Sequence, residues 1–285
     1  MSSQFFQCGR YRFPINRSNK PLIMGILNVT PDSFSDGGRY QSLESAISQA
    51  EQMIEAGVDI IDIGAESTRP GATPLPLEEE LRRLMPVVYA LRDCGKALSI
   101  DTYKPAVMIE ALAAGADMIN DVKGFRDPAA LTAVKSADCG LCIMHMSTDP
   151  QSMQENPQYE NVVDEVIAFL QQRIDTCVGD GIESQRLCVD PGFGFGKTLA
   201  NNLDLIRSVP RFNLLLKLPV LVGLSRKSMI GSLTGRSVEH RLAGSLGAAL
   251  AATISGASIL RVHDVAETVD ALKVFRAALY DNSDS

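Results

Sequence analysis

The sequence predicts a single (β/α)8 barrel whose bottom is covered by a short N-terminal segment, and three observations predict it. One phrase repeats along the chain, short apolar runs recur with helical patterns between them, and each run ends on a polar residue. The phrase is clearest in "EAGVDIIDIG" (55 to 64), "AAGADMINDV" (113 to 122) and "SGASILRVHDV" (255 to 265). In each, a helix ends at Gly, two or three residues follow, and a short apolar strand runs into a polar side chain. Gly suits the left-handed backbone after a helix C-terminus. Unbroken apolar strands suit a parallel sheet buried on both faces.

Taken in order, strands are expected near 22–28, 59–64, 96–101, 117–121, 140–145, 187–190, 219–225 and 258–262. "SLESAISQAEQMIEAG" supplies a helix between the first and second, and "LEEELRRLMPVVYALRD" one between the second and third. No linker breaks the alternation, so residues 1–285 read as one domain with a barrel core at about 21–280. Residues before 21 lie outside the repeat and are assigned to the barrel's bottom. The same spacing permits a doubly wound open sheet, which is the alternative.

Composition narrows the function. A chain of 285 residues, 45% hydrophobic, has ample core, and a net charge of −7 without a basic stripe argues against nucleic acid. The first 20 residues are polar with no signal-like apolar region, and no apolar run approaches membrane-spanning length. A cytoplasmic protein without a membrane partner is expected. Six cysteines stand at 8, 94, 139, 142, 177 and 188. Cys139 and Cys142 have the spacing of a redox pair or half a metal site, but no second pair exists and they lead into an apolar run. They read as buried, reduced thiols.

The strand ends carry the functional signal. In order they are Asn28, Asp62, Asp101, Asn120, His145, Asp190, Ser225 and Arg261. Barrel enzymes place their chemistry at the C-terminal ends of strands, so a complete polar ring points to a polar ligand. Asp101, Asn120 and Asp190 offer acceptors suited to a planar heterocycle with adjacent N–H donors. "SRKS" (225 to 228) and "RVHD" (261 to 264) are cationic, where barrels often bind phosphate. The glycine-rich "DPGFGFGKT" (190 to 198) is not a nucleotide loop: a P-loop needs Gly where Pro191 stands, and the dinucleotide spacing fails as well.

Eight segments in order, "MGILNVTPDSFSDGG", "ESTRPG", "SIDTYKP", "INDV", "CIMHM", "DPGFGFGKT", "GLSRKSMIG" and "RVHDV", resemble the dihydropteroate synthase family over about Leu22 to Leu279. The resemblance implies a (β/α)8 barrel, usually a homodimer. It also implies an enzyme that joins 6-hydroxymethyl-7,8-dihydropterin pyrophosphate to 4-aminobenzoate, releases pyrophosphate, and is inhibited by sulfonamides.

Position by position, it assigns Asp101, Asn120, Asp190 and Lys227 to the pterin, and Phe34, Thr68, Arg69, Pro70, Ser225 and Arg226 to 4-aminobenzoate. Asn28, Arg261 and His263 go to the pyrophosphate, with Asn28 also holding Mg²⁺, the expected cofactor. Lys227 and Arg261 count as catalytic, together with Asp32 and Asp36, which would organise the metal and shield a developing cation.

Other residues carry blander expectations. Asp62 either meets the ligand or ties the second loop through backbone hydrogen bonds, and Asp121 supports a turn. His145, with Met144 and Met146, either lines the pocket or is a satisfied strand-end histidine; His240 is on the surface. Lys197 is expected to be a solvated loop charge, and Lys227 has a rival reading as a solvent-facing lysine at a helix start. After "CIMHM" the chain reads "STDP" (147 to 150), where the family commonly has a glycine. Two other functions fit parts of the pattern. A methyltetrahydrofolate:corrinoid methyltransferase needs neither "STRPG" nor the Arg261 and His263 pair, and a non-catalytic pterin-binding paralogue should lack at least one of Asn28, Arg69, Lys227 and Arg261.

Overall fold

A computed structural model of the chain describes residues 5–15, 20–29, 39–66, 73–146 and 158–279. The chain opens with an antiparallel hairpin, β1 (Phe5–Cys8) and β2 (Tyr11–Pro14). Eight parallel strands follow at the eight apolar runs: β3 (Leu22–Asn28), β4 (Ile60–Gly64), β5 (Ala97–Asp101), β6 (Met118–Asp121), β7 (Gly140–Met144), β8 (Leu187–Asp190), β9 (Leu221–Val222) and β10 (Ile259–Val262). Between them run α1 (Arg39–Ala56), α2 (Leu77–Leu91), α3 (Pro105–Ala113), α4 (Pro128–Val134), α5 (Val162–Gly179), α6 (Leu199–Arg207), α7 (Val209–Leu216), α8 (Ser228–Thr234) and α9 (Leu242–Ile254). The last helix is α10 (Val265–Leu279).

Strand pairing decides between barrel and open sheet. The last strand, β10, lies beside the first, β3, with Arg261 opposite Met24. The ring closes between β8 and β9, where Val189 bridges Val220 and its N–H donates to the Pro219 carbonyl at 2.9 Å. An open doubly wound sheet has no such closure, so the fold is a (β/α)8 barrel. The seventh strand is shorter than expected. Pro219 has no N–H for a ladder, and after Gly223 the backbone turns, with the Lys227 N–H donating to the Leu224 carbonyl at 3.2 Å. Ser225 therefore sits in a turn above the sheet.

The hairpin forms the floor. Phe6 and Cys8 are fully buried and pack against one residue from each barrel strand: Met24, Ile60, Ala97, Met118, Cys142, Cys188, Leu221 and Ile259. Buried Asp117 holds the hairpin's turn, accepting from the Arg10 N–H and guanidinium and from the Leu98 N–H at 2.9–3.1 Å. Truncating a buried aromatic leaves a cavity costing about 3–5 kcal/mol. Phe6→Ala is accordingly expected to lower the thermal midpoint strongly while sparing activity at low temperature, because the floor lies at the end opposite the polar ring. A loss of activity without a loss of stability would contradict this.

Strand alternation then sets the interior. Two residues above the floor stand Asp62 on Ile60, Ser99 on Ala97, Asn120 on Met118, Asp190 on Cys188 and Arg261 on Ile259, with Asp101 one step higher. Floor and ring are thus the lower and upper layers of one barrel. Among the described residues no helix is long and apolar enough to cross a membrane.

Candidate active site

The polar ring is a connected cluster. Arg261, on β10, donates from Nε to Asp62 Oδ2 at 2.6 Å and from Nη2 to Asp101 Oδ2 at 2.8 Å. Asn120 Nδ2 donates to the same Asp62 oxygen at 3.1 Å. Asp62 is therefore a ring member, bonded to side chains across the barrel and not to its own loop. Its Oδ1, Asp101 Oδ1 and Ser99 Oγ are buried without a hydrogen-bond partner among the described residues. Buried acceptors rarely stay unsatisfied, so this interior is built for a ligand that brings N–H donors. Burial, with Asp62 close by, pushes the Asp101 carboxyl up to about 7 against the pull of Arg261. Burial also opposes the Arg261 charge, but Asp62 and Asp101 outweigh it and keep the guanidinium protonated.

The glycine-rich segment forms the next side. Asp190 Oδ1 accepts from the Gly192 N–H at 2.7 Å, and Gly192 adopts φ +74°. A Cβ there would lie 1.8 Å from the His145 carbonyl oxygen, so only glycine lets the chain pass. Lys227 crosses over this segment: its Nζ donates to the Phe193 carbonyl and sits 4.8 Å from the Phe195 ring centroid. It is half-buried, which excludes the solvent-lysine reading. Burial lowers its ammonium to about 8, with Asp190 pulling the other way. Burial raises Asp190, and Lys227 opposes that rise. The Thr of Gly-Lys-Thr caps α6, where Thr198 Oγ1 accepts from the Asn201 N–H at 3.1 Å, a helix-start role and not phosphate binding.

Lys197 corrects the sequence reading. It is not solvated but 5% exposed, and its Nζ lies 3.0 Å from His145 Nδ1 and 3.1 Å from the Phe195 carbonyl oxygen. Burial lowers it to about 7. The chain folds this lysine back because the φ +79° and +63° turns at Gly194 and Gly196 reverse its direction, which charge alone does not announce. His145 is a satisfied histidine, edge-on to Phe169 at 4.9 Å, and burial pushes it down to about 3. Asp121 supports a turn as expected, accepting from the Lys123 and Phe125 N–H groups. His240 is exposed.

The cationic side is also pre-organised. His263 takes two contacts from Ser225 Oγ, through its N–H at 3.2 Å and its Nδ1 at 3.0 Å. Arg226 has φ +58°, and its guanidinium grips both Asp264 oxygens. Its N–H donates to Ser245 Oγ at 3.0 Å, and its carbonyl accepts from Arg241 at 3.0 Å. A non-glycine residue at positive φ persists because these contacts over-determine it. Asn28 is exposed at the mouth. Asp32, Phe34, Asp36, Thr68, Arg69 and Pro70 lie outside the described residues, as does the "STDP" departure. The segment 67–72 is flanked by a defined anchor: Glu66 accepts from the Tyr103 hydroxyl at 2.9 Å, the Leu75 N–H at 3.1 Å, and Lys104.

One apolar cluster extends the Met144 and Met146 expected beside His145 to residues the sequence does not single out. Val122, Met144 and Met146 are buried together, with Tyr103 and Phe195 packed against them. Val122 lies two residues above the interior Asn120, so alternation counted from the floor was the signal that would have found it. Apolar side chains above strands that also carry carboxylates and an amide suit a planar ring with a polar edge.

Residues 24–263 match the family described as "Pterin binding enzyme". The chain belongs to that family. Relatives within it include dihydropteroate synthases. That of Haemophilus influenzae is 52% identical over 261 residues, 90% of this chain and 94% of the relative. That of Escherichia coli K12 is 48% identical over 260 residues, 91% and 92% of the two chains. The solved dihydropteroate synthase of Xanthomonas albilineans with 4-aminobenzoic acid superposes with a TM-score of 0.90 at 49% identity, covering 97% of this chain and 98% of that one. The Burkholderia cenocepacia dihydropteroate synthase complexed with 7,8-dihydropteroate gives 0.87 at 47% identity, with 97% and 96% covered. The cysteines fit no competing redox chemistry: all six are free, and Cys139 and Cys142 are buried.

Proposed function

We propose that this chain is a dihydropteroate synthase, condensing 6-hydroxymethyl-7,8-dihydropterin pyrophosphate with 4-aminobenzoate to give 7,8-dihydropteroate and pyrophosphate. The observation that carries this is the set of buried acceptors at Asp62, Ser99 and Asp101, without a hydrogen-bond partner among the described residues, in a chain 52% identical to one such synthase. Asp190 would accept from the ring's 2-amino and N3–H groups, since a carboxylate takes two parallel N–H bonds. Asn120 and Asp101 would hold the opposite edge, and Lys227 would donate to the ring's carbonyl side. Arg261 and His263 would hold the pyrophosphate, and Ser225 and Arg226 the benzoate carboxylate. Arg226 would do so mainly through its backbone, because its guanidinium is committed to Asp264.

The methylene carbon–oxygen bond breaks as pyrophosphate leaves, the arylamine nitrogen bonds to that carbon, and the amine loses a proton. Cations around the leaving group lower the barrier by stabilising its charge. Positive charge spreading into the ring is stabilised by Asp101 and Asp190, so positioning carries much of the rate. Thr68, Arg69, Pro70 and Phe34 would enclose the arylamine, and Asp32 and Asp36 would shield the cation. The exposed carboxamide of Asn28 is a hard oxygen donor, and Mg²⁺ commonly binds through few protein ligands plus substrate phosphates, so the mouth fits this ion. Mg²⁺ would neutralise the leaving pyrophosphate.

The protein would work in the cytoplasm, consistent with its buried free thiols, as one barrel domain and a homodimer. Leu233, Ile254 and Val274, between 56% and 70% exposed on the late helices, are apolar surface that a second copy would cover.

Purified protein given the dihydropterin pyrophosphate and Mg²⁺ should release pyrophosphate only when 4-aminobenzoate is present. Binding of the pterin without release would leave a non-catalytic paralogue instead. Because the pterin edge needs an ionised Asp101, kcat/KM should fall as pH drops below about 7. Asp101→Asn should remove that limb along with most activity, and an acid limb surviving in that variant would assign it elsewhere.

A further inference from the structure

Lys197 is a buried charge to which the proposed chemistry gives no task. A buried ammonium ordinarily sits on a carboxylate. Here its hydrogen-bond partners are neutral: His145 Nδ1 at 3.0 Å, the Phe195 carbonyl at 3.1 Å and the His145 carbonyl at 3.5 Å. Among the described residues no carboxylate forms an ion pair with it. The imidazole, edge-on to Phe169 and pushed down to about 3 by burial and by Lys197, stays neutral, so Nδ1 accepts from the ammonium.

What this ammonium lies behind is the Asp190 turn. The Gly192 N–H that binds Asp190 Oδ1 belongs to a residue whose missing Cβ would lie 3.2 Å from Lys197 Nζ. The Asp190 carbonyl accepts from the His145 N–H at 3.0 Å. Lysine, histidine, glycine and aspartate thus pack as one unit. The other cations facing Asp190 are Lys227 at the start of α8 and Arg261 on β10. Arg261 is committed to Asp62 and Asp101, and Lys227 to the Phe193 carbonyl.

We propose that Lys197 is a positioning residue for ring recognition: seated behind the Gly192 turn on His145, its ammonium holds Asp190 ionised and aimed so that it accepts two N–H groups from the ring. This rests on the pterin reading of Asp190. A bound ring seals the site from water, and a charge acts more strongly on its neighbour in that drier surrounding.

The sign of the pH dependence follows. Burial lowers Lys197 to about 7, so it carries its charge mainly below neutrality. Burial raises Asp190, so its carboxylate needs more support as pH falls. Removing the lysine charge should therefore matter little at high pH and increasingly as pH falls. The Asp101 acid limb is common to wild type and variants and cancels in their ratio.

The test is calorimetric binding of 6-hydroxymethyl-7,8-dihydropterin, which lacks pyrophosphate, to the full chain at pH 5.5, 7.0 and 8.5. Lys197→Met should bind within about twofold of wild type at pH 8.5 and about tenfold or more weaker at pH 5.5, one pKa unit being tenfold. Lys197→Gln, which keeps a donor for His145 without the charge, should follow Lys197→Met, and Lys197→Arg should follow wild type. A deficit equal at every pH would overturn the proposal in favour of simple packing. Failure of both neutral variants to fold, read by thermal unfolding, would likewise assign Lys197 to the fold and overturn it. Asp190→Asn separates the two readings: if it binds as tightly as wild type, the pterin reading of Asp190 has failed, whatever Lys197 does.

Discussion

Arg261→Ala is expected to abolish measurable turnover and to destabilise the barrel by about 3–5 kcal/mol, the usual cost of removing one partner from a buried ion pair. Among the described residues the guanidinium is the one cation paired with these two carboxylates inside the barrel, at 2.6 Å from Asp62 and 2.8 Å from Asp101. Asp62 is fully buried, so its charge has no route to water once Arg261 is gone. Without the guanidinium that pulls it down, the Asp101 carboxyl, already raised by burial and by Asp62, rises further. A carboxyl whose folded pKa lies above its unfolded value contributes stability that is present at low pH and lost as pH rises through the folded value. The stability gap between wild type and variant should therefore be largest near pH 8 and shrink toward pH 5. Adding Asp62→Asn should restore part of the stability and none of the turnover. Thermal unfolding across pH, beside pyrophosphate release, checks both halves. A gap independent of pH would mean that the pair is not what Arg261 holds.

Gly192→Ala is expected to cost about 3 kcal/mol or more and to weaken ring binding by at least ~100-fold, because two penalties coincide there. The φ of +74° is unfavourable for any L side chain, and the new Cβ would stand 1.8 Å from the His145 carbonyl oxygen. Backbone meets backbone at that contact, so the Asp190 turn must move. Gly95 separates the two penalties, since it has φ +78° with nothing within 4 Å of its Cβ position. Gly95→Ala should cost only the conformational part, about 1–2 kcal/mol, and leave ring binding intact. Equal losses in the two variants would show that the close approach to His145 has no consequence.

The strands could be read in the sequence because their signal is local. Each apolar run, ending on a polar residue, gave a strand within a few residues of its observed limits. The seventh fell short because Pro219 and the Leu224–Lys227 turn, both visible as residue types, shorten a ladder only once a neighbour is in place. The ring residues were legible for the same reason: they end runs. Lys197 was misread because a lysine in a glycine-rich loop looks solvated until the turns at Gly194 and Gly196 are built. Val122 and Phe195 were missed because apolar residues beside apolar strands carry no mark of facing a ligand.

By itself the sequence determined the class of fold, the eight strand stations and which polar side chains stand at their ends, since periodicity and turn chemistry act over a few residues. Only the tertiary structure decided what those side chains do to one another. Arg261 meets Asp62 and Asp101 from 199 and 160 residues away, and it meets them because β10 closes against β3. Closure puts residues of opposite charge across a narrow interior from which water is excluded. Their distance, burial and ionisation follow from that enclosure and not from any stretch of chain.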